Sequence, residues 1–157
     1  MAALAGCDHG KKRTEPPPPP APKQSFLAID REQQRIVQDY QPASAALTAY
    51  ELAFRDWRLG RLSQAELLTR ASSYRSVVVA AHDRVAADPA TSETKRAKRL
   101  LVEGLQARAQ ALAALPDLGR YTPLWNRSVV NARAGLTLMQ DVRDRARLIP
   151  LPEDAVS

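Results

Sequence analysis

Apolar residues recur at helical spacing through most of this chain. In the first segment Ile29, Ile36, Tyr40, Ala43, Leu47, Tyr50, Phe54 and Trp57 fall on one face, and only Gln33 interrupts them. Steps of three and four residues are the period of an amphipathic helix. Pro42 lies inside the stripe without shifting its phase. Proline removes one amide and crowds the carbonyl four residues back. The segment therefore predicts one long helix kinked near Gln38 to Pro42, or two collinear helices. Gly60 follows as a C-terminal cap, because glycine accepts the left-handed backbone that ends many helices.

The next start is the sharpest local signal. Ser63-Gln64-Ala65-Glu66 is a capping box, in which Ser63 accepts the Glu66 amide and Glu66 reaches back. Leu62 and Leu67 flank it at hydrophobic-staple spacing. The stripe that follows is Leu67, Ala71, Tyr74, Val78, Ala81 and Val85. Asp88-Pro89 is expected to close this helix and open the third, with Asp88 as N-cap and Pro89 in the first helical position. Thr91 and Ser92 are the alternative caps. The third helix runs to about Leu115 and buries Ala97, Leu101, Leu105, Ala109 and Leu112. Pro116 to Arg120 reads as a turn. Thr122-Pro123 is expected to start the fourth helix, with Trp125, Val129, Ala132, Leu136 and Met139 on its inner face, widened by Leu138 and Val142.

Short connections between helices of similar length force antiparallel neighbours. The expected fold is all-α, an antiparallel up-down four-helix bundle over residues 24–149, with the first half of the long first helix overhanging. Composition agrees. Of 157 residues, 45% are hydrophobic and 5% aromatic, with Ala and Leu supplying much of the apolar content. That balance favours helix over strand. Small Ala at many inner positions allows close helix approach. No run approaches the ~20 apolar residues of a membrane-spanning helix.

Both flanks of the bundle differ from it. Residues 150–157 read as an acidic tail after Pro150. Ahead of the bundle, Pro16 to Pro20 and Pro22 dictate polyproline II. At ~3.1 Å per residue, residues 8–23 make a semi-rigid spacer of up to ~50 Å. Lys11-Lys12-Arg13 precede the prolines, and near an anionic leaflet each such charge is worth about 1 kcal/mol.

Before the tether stands Leu4-Ala5-Gly6-Cys7, which resembles the lipid-attachment box of bacterial lipoproteins. The order has a chemical reason. A signal peptidase needs a narrow Ala-Gly pair before the scissile bond, and a thiol must accept the diacylglycerol. Cys7 is the sole cysteine, so no internal disulfide or CxxC pair competes for it. The resemblance covers Leu4 to Cys7 and the tether. It implies that residues 1–6 are the remnant of a signal peptide recognised through Leu4, Ala5 and Gly6. It also implies that Cys7 carries lipid and that the protein faces the periplasm on a membrane anchor. A basic region and an apolar run are then expected upstream of Met1. Asp8 is similar to the signal that retains lipoproteins in the inner membrane of Gram-negative bacteria. Small helical lipoproteins such as secretion pilotins and lipid-anchored immunity proteins offer an analogy at the level of fold alone.

Chemistry is sparse elsewhere. The formal net charge is +6, but bases and acids interleave, as in Asp141-Val142-Arg143-Asp144-Arg145. That is the pattern of a solvated helix face, and nucleic acid is not the expected partner. A basic bundle binding nucleic acid or another polyanion stands as an alternative. His82 and Met139 are the residues a cofactor-binding bundle would use for haem. No CxxCH, nucleophile elbow or phosphate loop is present, so neither catalysis nor a metal or cofactor is expected. What remains is surface. The up-down topology brings Trp57 and Trp125 to the end away from the tether, with Arg58, Arg61 and Tyr121. Trp, Tyr and Arg are enriched in binding hot spots. Both tryptophans also fit the core phase, so the first expectation is that they plug the bundle end; a partner surface for an envelope protein is the second. Apolar positions left exposed on the stripes would support a homodimer.

Overall fold

The computed structural model describes residues 26–147. Residues 4–8 and the tether lie outside the described residues, as does the tail from residue 148. Of the described residues, 87% are helical and none is in a strand. The elements are α1 (Phe26–Ala45), α2 (Leu47–Arg58), α3 (Gln64–Ala87), α4 (Lys95–Ala114) and α5 (Leu118–Arg147).

Helices α1 and α2 are the two halves of the expected first helix, kinked by 25°. The break falls at Ala46, one turn beyond Pro42, later than the sequence suggests. Pro42 has no amide to give Gln38, and the ladder recovers unevenly. Ala46 N donates to Pro42 O at 3.1 Å, but Tyr50 N reaches Ala46 O only at 3.4 Å. The C-terminus of α2 closes as expected. Gly60 has φ +69°, its N–H donates to Trp57 O at 2.9 Å, and Arg61 N donates to Asp56 O at 2.8 Å. This is a Schellman motif, and a side chain at position 60 would strain its backbone.

The capping box is formed in full. Glu66 N donates to Ser63 Oγ at 3.2 Å, and Ser63 N donates to Glu66 Oε2 at 2.9 Å. The Ser63 hydroxyl first, then its amide, hold the Glu66 carboxyl below the usual range. Leu67 is fully buried and Leu62 packs on the core beside it. We expect Ser63→Ala to lower stability by about 0.5–2 kcal/mol in thermal unfolding, since the Glu66 amide loses its acceptor. An unchanged melting temperature would mean that the cap contributes nothing.

Contacts between helices run in opposite directions along successive pairs. Tyr74 OH of α3 donates to Ala43 O, and Arg84 near its end pairs with Asp39 at 3.6 Å. Arg75 Nε of α3 donates to Ala109 O of α4 at 3.3 Å. Gln33 explains its own interruption of the stripe: it is buried and donates to Met139 O of α5 at 2.9 Å. The start of α1 does not overhang. Ile29 packs with Val142 and Ala146 in a small second core, and Arg143 pairs with Asp30 at 3.1 Å.

Two helix starts differ from the expected ones. Asp88-Pro89 does not open α4. Asp88 instead caps the end of α3, its N–H bonded to Arg84 O. The chain then turns, and the Thr91 amide and the hydroxyls of Thr91 and Thr94 all donate to Glu32 of α1. With its hydroxyl committed to Glu32, Thr94 precedes Lys95 as a cap without a side-chain bond of its own. Thr122-Pro123 does not open α5 either. Asp117 does: its Oδ1 accepts Arg120 N at 3.2 Å and its carbonyl accepts Tyr121 N at 2.9 Å. Pro123 therefore lies within α5, near enough to the start to be tolerated. Thr122 Oγ1 donates to Leu118 O at 2.9 Å.

The inner face of α5 is also rotated from the expected one. Ser128, Ala132, Gly135 and Met139 are buried, while Val129 and Leu136 are 42% and 39% exposed. The cause is close approach of α4. A Cβ on Gly104 would lie 3.1 Å from Ala132 N, and one on Gly135 would lie 3.0 Å from Ala97 O. Backbone-to-backbone contact needs the small residues at the seam, so it turns the larger ones outward. The core of α3 matches its stripe residue for residue: Leu67, Ala71, Tyr74, Val78, Ala81 and Val85 are all buried.

Candidate functional site

The α2–α3 turn and the α4–α5 turn share the end of the bundle away from α1's start. There the aromatic side chains form one continuous set. Phe54 lies 5.5 Å from Trp57 and stacks on Tyr121 at 5.1 Å. Tyr121 stacks on Trp125 at 5.4 Å, and Trp125 meets Tyr50 at 5.4 Å. Tyr50 stacks in turn on Tyr74 at 5.1 Å. Such pairs add about 0.5–1.5 kcal/mol each beyond burial. The expected grouping of Trp57, Tyr121 and Trp125 is thus present. Phe54 links Trp57 to Tyr121, which is buried; both tryptophans are partly buried.

One member of this site is not legible as such in the sequence. Arg108 of α4 is only 3% exposed. Its Nε donates to Ser128 Oγ at 3.2 Å and its Nη1 to Tyr74 OH at 3.3 Å. Its guanidinium carbon sits 5.5 Å from the centre of the Trp125 ring. Among the described residues no carboxylate pairs with it. A buried charge needs compensation, and here hydroxyl oxygens and an aromatic face supply it. The phenols do not become anions to help. Burial pushes Tyr50 up to about 12. Burial raises Tyr74 too, against the lowering pull of Arg108, and burial with the Tyr50 hydrogen bond raises Tyr121 strongly. Tyr50 OH donates to Tyr121 OH at 3.2 Å. These groups stay neutral at physiological pH. The available signal was spacing: Leu101, Gly104, Arg108 and Ala111 step by three and four along the α4 seam.

The rim is different in kind. Arg58 and Arg61 are exposed, and between them Leu59 is 57% exposed. Asp56 lies within 3.9 Å of Arg61 and 4.0 Å of Arg55, which are loose surface pairs. Trp57 stands behind this rim with Phe54 as its aromatic neighbour.

The haem pair is not assembled as such. His82 Nδ1 lies 2.9 Å from Asp83 Oδ1 on the outer side of α3, whereas Met139 is buried at the α1–α5 seam. Among the described residues no group of three or more His, Cys, Asp or Glu is placed to hold a metal ion. No helix among them is long and apolar enough to cross a membrane. No family model, curated protein or solved structure matches this chain.

Proposed function

We propose that this chain is a non-catalytic, lipid-anchored protein of the bacterial cell envelope whose helical bundle presents a protein-interaction surface. Cys7 carries the lipid, with Leu4, Ala5 and Gly6 as the processing signal and Asp8 favouring the inner membrane. The tether holds the bundle on the periplasmic side. The observation that carries the interaction role is the division of the aromatic end. Its inner half, Trp125 stacked on the buried Tyr121 and faced by Arg108, is packed against the core. Its outer half, Leu59 between Arg58 and Arg61 with Trp57 behind, leaves an apolar anchor rimmed by planar cations. Apolar and aromatic anchors with arginine at their edge are the composition of binding hot spots. The end that bears them is opposite the point where the tether joins, so the surface faces away from the membrane.

A photoreactive amino acid in place of Leu59 tests the surface. In intact cells it should give one discrete crosslinked species. The same residue at Val130, which is 64% exposed on α5, should not. No product at position 59, or the same product at both positions, would count against a partner surface at this end.

A further inference from the structure

At the other end of the bundle, a groove of about 610 Å³ opens beside the α3–α4 turn. It is lined by the aliphatic Ala86, Ala90 and Val102, by the bases Lys95, Arg96, Lys98 and Arg99, and by one acid, Glu103. We propose that this groove binds anionic lipid headgroups, so that the tether-side end of the bundle rests on an acidic membrane surface. The proposal relies on the reading of Cys7 as a lipid anchor.

Three observations support it. First, the four bases fall in the first five residues of α4, with no acid in its first turn. The dipole makes a helix N-terminus favour anions and repel cations. Acids stand at two other helix starts, Glu66 in the first turn of α3 and Asp117 as the cap of α5, while the first turns of α1, α2 and α5 hold none. What sets α4 apart is the gathering of four bases at an end where the dipole disfavours them, and such a conflict marks a place where function is to be sought.

Second, most of that charge is unspent. Lys98 has a structural task, donating its ammonium to the carbonyls of Ala86 and Asp88. Arg99 is half-engaged by Glu103 at 3.8 Å. Among the described residues Lys95 and Arg96 form no ion pair, and both are exposed.

Third, the topology places the groove well. Glu32 ties the turn that precedes α4 to the start of α1, which is where the tether enters. The groove therefore lies at the end of the bundle where α1 begins. Single-stranded nucleic acid is the weaker fit. Its recognition interleaves cations with aromatic stacking platforms, and the aromatic set of this bundle lies at the opposite end.

The test uses the full chain carrying Cys7→Ser, so that lipid plays no part. Sedimentation with phosphatidylcholine vesicles, with and without phosphatidylglycerol, should show binding to the acidic vesicles alone, weakened by salt. Lys95→Glu with Arg96→Glu should lower that binding at least ~25-fold, since each charge near such a surface is worth about a factor of five. The double variant should melt no lower than its parent, because acids suit this helix end. Arg120→Glu with Arg127→Glu makes the same change in net charge at the distal end, and should lower binding far less. Binding that survives Lys95→Glu/Arg96→Glu overturns the proposal. Equal loss in both double variants overturns it as well, as does tighter binding of a single-stranded oligonucleotide than of acidic vesicles at the same residues. The anchor is read separately, by lipid labelling of the native chain. Groove-dependent vesicle binding without lipid on Cys7 supports the headgroup site and overturns the anchor. Lipid on Cys7 without vesicle binding overturns the groove alone.

Discussion

Truncating Trp125 to alanine is expected to cost about 3–5 kcal/mol of stability, the range for deleting a large aromatic from a packed site. Trp125 is held on three sides: by Tyr50 and Tyr121, each at 5.4 Å, and by the Arg108 guanidinium at 5.5 Å. Removing the indole opens a cavity and also strips a buried cation of its aromatic face. Trp57→Ala should cost clearly less. Its aromatic contact is Phe54 at 5.5 Å, and it stands beside an exposed turn. Urea unfolding of the two variants gives the comparison directly. Equal, large losses would confine both tryptophans to structure and leave the distal rim without a binding claim.

The second large effect is expected at Gly135. A Cβ there would lie 2.9 Å from Leu101 Cγ and 3.0 Å from the Ala97 carbonyl oxygen. Leu101 is fully buried and Ala97 presents backbone, so neither can give way cheaply. In an open helix Gly→Ala gains about 1 kcal/mol of propensity. Overpacking a tight core typically costs about 1–3 kcal/mol, occasionally more. Gly135→Ala should therefore be net destabilising despite the better helix former. Gly135→Leu, which cannot fit without parting α4 from α5, should lose about 3 kcal/mol or more. A melting temperature raised by Gly135→Ala would mean that the two helices sit further apart than described.

Where the pattern carried large apolar residues at regular spacing, the fold was legible before any coordinates. The α3 stripe, the Ser63 box and the Gly60 cap follow from local chemistry acting within one turn of chain, and all three are present. The errors share a cause. Reading α5 by side-chain size placed Val129 and Leu136 inside, but the α4–α5 seam is chosen by smallness, through Gly104, Ser128, Ala132 and Gly135. Thr122-Pro123 looked like a helix start because threonine and proline do occur there. The hydroxyl instead bonds back to Leu118 O, and Asp117 takes the capping role. At Asp88-Pro89 the deciding group was Glu32, distant in sequence, which no local motif can reveal. Arg108 was missed for the same reason: a charged residue inside a stripe reads as solvated until its partners on α3 and α5 are known. The grouping of aromatics at the distal end could be inferred because topology alone places them. The place of Arg108 beside Trp125 could not, because it depends on partners from α3 and α5.

The proposed membrane anchor of this bundle is a lipid on Cys7. Labelling cells with an alkyne-bearing palmitate, with the protein expressed from its native locus and recovered from separated membrane and soluble fractions, tests it most directly. Label is expected on the wild-type protein in the membrane fraction, with Cys7→Ser unlabelled and soluble. A wild-type protein that takes up no label, or one that fractionates identically when Cys7 is serine, would contradict it.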